Sequence, residues 1–304
     1  MISDFTLRRR PVTFATMQNE PAIGIIGGSG LYAIESLVDA AEVKIDTPFG
    51  PPSDLIVSGK IAGRRVFFLP RHGRGHRILP MELNHRANIY ALRSLGVRWL
   101  LSVSAVGSLQ PQYEPEHIVL PSQFFDRMST RANHTFFGNG IVAHVSFGEP
   151  VSGKLRALIA AETQSLGFTV HNGGTYVNMD GPAFSTRAES EFYRRNGFDI
   201  IGMTSLPEAK LAREAEIAQA TIAMVTDYDC WRVEEEPVTA DMVVARLTAN
   251  VGRAKKILGA VIPKIPLEPD WPEHRALDSA LVTDRKLWPR ETGEKLRAIL
   301  GRFL

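Results

Sequence analysis

Short apolar runs that end on glycine, serine or aspartate alternate with segments of helical period along this chain. No other feature restricts the fold as much. Strands separated by helices must cross over before they pair, so they wind into a sheet with helices on its faces. The most continuous run, Ala220-Thr221-Ile222-Ala223-Met224-Val225, is β-branched and too short for a helix, and reads as a buried strand. It closes on Asp227-Tyr228-Asp229. Open α/β sheets place their chemistry at the carboxyl ends of strands. By position alone the two acids are solvated turn formers. As a pair they can give and accept protons on a heteroaromatic ligand, and three further motifs favour that reading.

The other elements follow from local signals. Residues 22–26 form a first buried strand ending in Gly27-Gly28-Ser29-Gly30, and residues 43–46 are expected as a second. Residues 55–58 and 65–69 flank Gly59 and Gly63 and read as a hairpin, which makes the sheet mixed. Residues 84–95 are helical, with Gly96 as the stop. Residues 99–104 form a strand ending in Ala105-Val106-Gly107-Ser108, and 117–120 a short one. Residues 126–148 have no sustained period and read as a functional loop that needs a partner to bury it. A helix over 154–166 stops at Gly167, and strands are expected at 175–179 and 200–203. Thr186-x-x-Glu189 and Ser205-x-x-Glu208 have capping-box spacing, each opening a helix. Val243, Val244, Leu247, Val251, Ala254, Leu258 and Val261 make one stripe on a helix over 240–261. The expected fold is one α/β domain at 21–265 with a central mixed sheet flanked by helices. Residues 1–20 form a tail, and 266–304 an extension whose amphipathic end docks on its own chain or a neighbour.

Composition removes several classes. A net charge of +2, with scattered basic residues, does not suit a nucleic-acid partner. The single cysteine, Cys230, excludes an intrachain disulfide and a multi-cysteine metal site, and fits a reducing compartment. No apolar run is long enough to span a membrane, and the N-terminal charges follow the apolar stretch, the reverse of a secretory signal. The expected location is cytoplasmic.

Three motifs carry chemistry. Glycines at 27, 28 and 30 let backbone N–H groups approach an anion, with Ser29 adding a hydroxyl. The same stretch, Gly28-x-Gly30-x-x-Ala33 with Asp46 downstream, also fits a dinucleotide fingerprint, or a plain tight turn. Arg71-His72-Gly73-Arg74-Gly75-His76 supplies an Arg fork and imidazoles for phosphate or carboxylate. Its His-x3-His spacing admits a metal, but no carboxylate lies nearby before Glu82. Ser104-Ala105 and Thr204-Ser205 each follow a strand and add donors. Together these donors converge from separate strand ends, as a phosphate subsite requires.

These stretches, with Asp46-Thr47-Pro48-Phe49-Gly50, Asp180-Gly181-Pro182, Phe184-Ser185-Thr186-Arg187-Ala188-Glu189, Met203-Thr204, Pro207-Glu208 and Asp227-Tyr228-Asp229-Cys230-Trp231, closely resemble the methylthioadenosine phosphorylases. That family is the trimeric branch of the purine nucleoside phosphorylases, and the resemblance runs in order from about residue 23 to 265. It implies a nucleoside-phosphorylase-like fold. It also implies phosphate contacts at Ser29, Arg71, His72, Ser104, Ala105 and Thr204, and a ribose contact at Met203. Phe184 and Ser185 match purine-pocket positions, and Asp227 and Asp229 those that hold the base edge. His144 matches a residue reaching the 5′ end of a nucleoside in a neighbouring subunit, and Ala240, Val243 and Val244 the apolar 5′-methylthio wall. Departures are Asp180 for the usual Glu, Ala183 for a common Arg, Ser104 for Thr and Ala240 for Val.

The chemistry agrees. Phosphate attacks a sugar carbon of oxocarbenium character while the purine leaves with N7 hydrogen-bonded or protonated. A buried Asp beside a second Asp has the raised pKa this needs. Asp accepting from an exocyclic amine favours 6-aminopurines. The expected reaction is phosphorolysis of 5′-methylthioadenosine by a homotrimer, with inorganic phosphate as co-substrate and no cofactor or metal. A purine nucleoside phosphorylase of broader or 6-oxopurine (methylthioinosine) preference, a nicotinamide-dependent oxidoreductase and a non-catalytic nucleoside-binding module are the rivals.

Overall fold

A computed structural model describes residues 20–28, 31, 34–129, 133–232 and 240–304, with backbone alone at 240–245 and 247–249. Ser29 and the 1–19 tail lie outside these residues. The strands are β1 (Ala22–Gly27), β2 (Val38–Val43), β3 (Ile56–Ile61), β4 (Arg64–Pro70), β5 (Val97–Ser108), β6 (Ile118–Leu120), β7 (Gln123–Asp126), β8 (Val170–Asn172), β9 (Thr175–Asn178), β10 (Ile200–Gly202) and β11 (Ala218–Asp227). The helices are α1 (His85–Ser94), α2 (Gly153–Ser165), α3 (Arg187–Arg195), α4 (Ser205–Glu214), α5 (Ala240–Val261), α6 (Arg290–Lys295) and α7 (Arg297–Leu300).

The strands form one mixed sheet in the order β2-β3-β4-β1-β5-β10-β9-β7, with β11 also on β5, β6 on β11 and β8 on β6. β4, β1, β5 and β11 are parallel neighbours at its centre. Their side chains alternate between two buried faces. Ile23, Ile25, Phe68, Trp99, Leu101 and Met224 meet α2 and α5 on one side. Ala22, Ile26, Phe67, Leu69 and Leu100 meet α1, α4 and the C-terminal helices on the other. Burial on both faces explains why these strands read as unbroken apolar runs.

Local signals place most boundaries. Asn84 caps α1 by accepting from the Ala87 N–H at 3.1 Å, and Gly96 stops the chain at φ +85°. Thr186 and Glu189 complete the capping box of α3. The β3–β4 hairpin turns through Ala62 and Gly63, both at positive φ as a two-residue type I′ turn demands. Gly59 lies inside β3 instead, where a Cβ would overlap Leu37.

Several expectations are corrected. The second strand is 38–43, not 43–46; it is an edge strand with charged, exposed positions, so no apolar run marks it. β5 does not end at 104 but continues to Ser108, since β11 and β10 pair with its last residues. The 126–148 loop buries Phe136 and Ile141 on its own chain. It is held by side chains rather than by periodic structure: Glu214 accepts from the Phe136 N–H at 2.7 Å, and the Thr292 hydroxyl donates to the Asn139 carbonyl at 2.8 Å.

Residues beyond 265 pack into both cores, with Trp271 on Trp99 at 6.3 Å and Leu296, Ile299 and Leu300 against α1. Arg302 binds the buried Glu216 and also Asp278, fixing the end of the chain. Burial of this kind predicts that Leu300→Ala lowers stability in urea unfolding by about 2–5 kcal/mol. Leu287→Ala, 73% exposed, should stay within about 0.5 kcal/mol. Equal small effects would show that the C-terminal helices do not stabilise the fold.

Candidate active site

The carboxyl ends of β1, β4, β5 and β11 open into a cleft of about 370 Å³. At one end, parallel pairing brings three chain segments together. The β1 and β4 registers match Gly27 with Pro70, and the Arg71 N–H donates to the Gly27 carbonyl at 2.9 Å. β1 pairs Ile26 with Ser102, so Ser104 and Ala105 follow directly beyond it. Gly28, Arg71, His72, Ser104, Ala105 and Thr204 all line this end.

Each donor has a definite state. Arg71, only 3% exposed, gives Nε to Glu208 Oε1 at 2.5 Å, Nη2 to Glu208 Oε2 at 3.0 Å, and Nη1 to the Val103 carbonyl at 2.9 Å. The side edge of its fork is therefore already engaged. His72 Nδ1 lies 2.8 Å from the Ile78 carbonyl, which can only accept, so this nitrogen carries the proton. Burial, then Arg71, pushes the His72 pKa down to about 4. At neutral pH the ring is uncharged and Nε2 is an acceptor, not the donor expected from the motif. His76 stacks on it at 4.3 Å, in the left-handed region at φ +53°. Thr204 sits one residue before α4 and makes no side-chain cap bond, which leaves its hydroxyl uncommitted there. The expected capping box at Ser205 and Glu208 does not form, because Glu208 is turned inward to Arg71. Its spacing with Ser205, Ala209 and Ala212, all buried on α4, was the available signal.

The middle of the cleft holds Met203. Gly181 permits this close approach: it adopts φ +69°, and a Cβ there would lie 2.5 Å from Met203 Sδ.

At the other end stand Phe184, Ser185, Asp227 and Asp229. Asp227 accepts from the Thr226 hydroxyl at 2.7 Å and from the Asp229 N–H at 2.8 Å. Its neighbour in β5 is Gly107, where a Cβ would come within 2.9 Å of Asp227 Oδ1. Burial raises the Asp227 pKa to about 6 against those two hydrogen bonds. Burial also raises Asp229, with the Ser190 and Ser185 hydroxyls opposing. The Cys230 thiol donates to the Ser185 carbonyl at 3.3 Å, and Trp231 Nε1 to the Ser108 carbonyl at 2.8 Å, fastening the turn after β11. This end offers a protonatable carboxyl beside a second acid, walled by an aromatic ring.

One expected residue lies apart from the cleft, and one expected set falls outside the described side chains. His144 is exposed, its N–H donating to the Ala280 carbonyl at 2.8 Å, and it does not line the cleft of its own chain. Ala240, Val243 and Val244 belong to the first turns of α5, whose side chains fall outside the described residues. Arg246, further along α5, donates to the Thr226 carbonyl beside Asp227. Among the described residues no group of three or more His, Cys, Asp or Glu is placed to hold a metal. The dinucleotide fingerprint lacks its structural context: β2 ends before Asp46, whose side chain is 91% exposed, and the described residues between β1 and β2 form no helix.

Comparisons with known proteins agree with this layout. The family model described as the phosphorylase superfamily matches residues 22–263. The S-methyl-5′-thioadenosine phosphorylase of Geobacter sulfurreducens is 51% identical over 94% of this chain and all of its own length. That of Hyperthermus butylicus is 54% identical over 82% of this chain and 90% of its own. Among solved structures, a methylthioadenosine phosphorylase from an antarctic soil metagenomic library superposes with a TM-score of 0.88 at 47% identity, covering 93% of this chain and 100% of its own. The Schistosoma mansoni methylthioadenosine phosphorylase in complex with tubercidin gives 0.79 at 34% identity, covering 88% and 100%. By a family match that spans the whole central sheet, and by relatives above half identity over nearly their full lengths, this chain belongs to the phosphorylase superfamily, among the S-methyl-5′-thioadenosine phosphorylases.

Proposed function

We propose that this chain phosphorolyses 5′-methylthioadenosine to adenine and 5-methylthioribose 1-phosphate, an entry to purine and methionine salvage in the cytoplasm. The observation that carries this reading is one cleft with hydroxyl, guanidinium and imidazole groups at one end and a carboxyl of raised pKa at the other. Inorganic phosphate is the co-substrate, and the mechanism uses no cofactor.

Phosphate sits against Ser29, Arg71, His72, Ser104, Thr204 and the Ala105 backbone. The neutral His72 accepts the hydroxyl hydrogen of a monoprotonated phosphate. That orients an unprotonated oxygen toward the sugar carbon. Met203 packs on the ribose, and Phe184 and Ser185 on the purine. As the bond from C1′ to N9 breaks, its electrons pass into the purine. Asp227 donates to N7, and Asp229 accepts from the 6-amino group, which favours adenine over hypoxanthine. The assay that tests the reading is phosphate-dependent base release on methylthioadenosine, adenosine, methylthioinosine and inosine in parallel. Release without phosphate would remove it, and equal rates on all four would point to a broad purine nucleoside phosphorylase.

Asp227→Asn is expected to cut turnover of methylthioadenosine by roughly 10²–10⁴-fold and to shift preference toward 6-oxopurines, because the amide can donate to O6. The base-side limb of its kcat/KM profile, expected near the free-enzyme pKa of about 6, should disappear in the variant. Full activity on methylthioadenosine would place the proton donor elsewhere.

The same group makes a stability prediction. A carboxyl whose folded pKa lies above its unfolded value takes up protons on folding, so its contribution falls as pH rises from about 4 to 6. Asp227→Asn removes that cost. It should be more stable than the parent at pH 7 by about 1–3 kcal/mol, with the advantage gone below pH 4. Urea titrations at the two pH values decide this, and a destabilised variant at pH 7 would contradict the buried-acid account.

The exposed His144 fits a site completed by a neighbouring subunit, with a homotrimer as the assembly. Light scattering should give a trimer, and dilution to monomer should abolish nucleoside binding before unfolding. A fully active monomer would exclude a shared site.

A further inference from the structure

Glu208 lies on the inward side of α4 at 0% exposure, among Ser205, Ala209 and Ala212. A carboxylate in such a place needs compensation by charge and hydrogen bonds. It has both: two N–H donors from Arg71, at 2.5 and 3.0 Å, and the Ser102 hydroxyl at 2.6 Å. Burial acts to raise its pKa, but Arg71, His85 and Ser102 outweigh burial and hold the carboxyl below its ordinary value. Of the five N–H groups of a guanidinium, three are committed in Arg71, to Glu208 and the Val103 carbonyl. What Arg71 can still offer is one N–H on each Nη nitrogen.

We infer that Glu208 is a positioning residue for the anion subsite: it grips the side edge of Arg71, presents only its terminal edge to a phosphoryl oxygen, and cancels its charge. The subsite then selects its ligand by directed hydrogen bonds rather than by net positive charge. This rests on the phosphate reading above. It also accounts for an acid placed three residues into α4, within reach of an anion's main cation. Ser102 belongs to the same device. It occupies the third position on the carboxylate and comes from β5, two residues before Ser104, so the grip on Arg71 is keyed to the strand that supplies the neighbouring hydroxyl.

The test is a set of variants on the full chain. Glu208→Gln keeps the shape but places an amide donor against an Arg71 N–H. The apparent phosphate KM should rise by about tenfold or more, the effect of misdirecting one charge-assisted hydrogen bond. The methylthioadenosine KM should stay within about twofold of the parent, well inside that tenfold effect. Glu208→Asp, which keeps the charge at shorter reach, should fall between. The double variant R71A/E208Q should match Arg71→Ala in phosphate KM, because Glu208 acts only through Arg71. Its melting midpoint should exceed that of Arg71→Ala, which leaves the carboxylate buried and alone. Should Glu208→Gln fail to fold, Glu208→Asp and the double variant carry the same comparison. A Glu208→Gln variant that loses stability with both KM values unchanged, raises both KM values equally, or keeps its full effect in the Arg71→Ala background would overturn the inference. Calorimetric titration with inorganic phosphate separates it from the functional reading. A parent protein that binds phosphate but releases no base defeats the phosphorylase reading and leaves the Glu208 variants to be judged by phosphate Kd. A parent that binds no phosphate defeats the inference.

Discussion

The parallel pairing of β5 with β11 sets the distances on which the rest of the site depends. Its register places Ser104 opposite Ala223 and Gly107 opposite Asp227, with a shift between Val225 and Asp227. The Ser104 hydroxyl at one end of the cleft and the Asp227 carboxyl at the other are thereby fixed about 10 Å apart along the strands, at roughly 3.3 Å per residue. Both strands are buried, with β1 and β10 on the other side of β5 and β6 on the other side of β11, so neither can slide without breaking those ladders. Gly107 is part of this constraint, since any side chain there would press on Asp227.

Around this frame the cleft is lined by ionisable groups whose charge is disfavoured by burial or matched by a partner. Burial raises the pKa of Asp227 to about 6, raises that of Asp229, and keeps His72 uncharged. Arg71 is compensated by Glu208. Such a cleft attracts a charged substrate less by long-range field than by matched hydrogen bonds, which are strong in a dry, low-dielectric setting. Buried acids reduce stability, and the large cores on both faces of the sheet, extended by the C-terminal helices, offset that cost.

The irregular 126–148 segment shows how far local patterns reach. Its sequence has no period, and its order comes from contacts distant in sequence: Glu214 on Phe136, Thr292 on Asn139, and a bridge between Ala143 and Leu281. Phe136 and Ile141 face inward while His144 remains outside. The loop and the C-terminal segment order each other, which neither stretch reveals alone.

What the sequence determined was what short-range chemistry dictates. Asn84 and Gly96 bound α1, Thr186 and Glu189 open α3, and Ala62-Gly63 makes a turn that needs positive φ at both residues. Asp227 and Asp229 at the end of β11, Arg71 and His72 just past β4, and Thr204 just past β10 were legible as polar groups at strand ends, whereas Ser104 lies inside β5. Tertiary structure alone decided the partners. It turned Glu208 from a helix cap into the counter-ion of Arg71, 137 residues away. It fixed the His72 proton on Nδ1 through Ile78, carried β5 on to Ser108 by pairing with β10 and β11, and raised Asp227 by burial. Charge state and hydrogen-bond direction depend on what surrounds a group in space, and a linear pattern reports only what its own few neighbours will do.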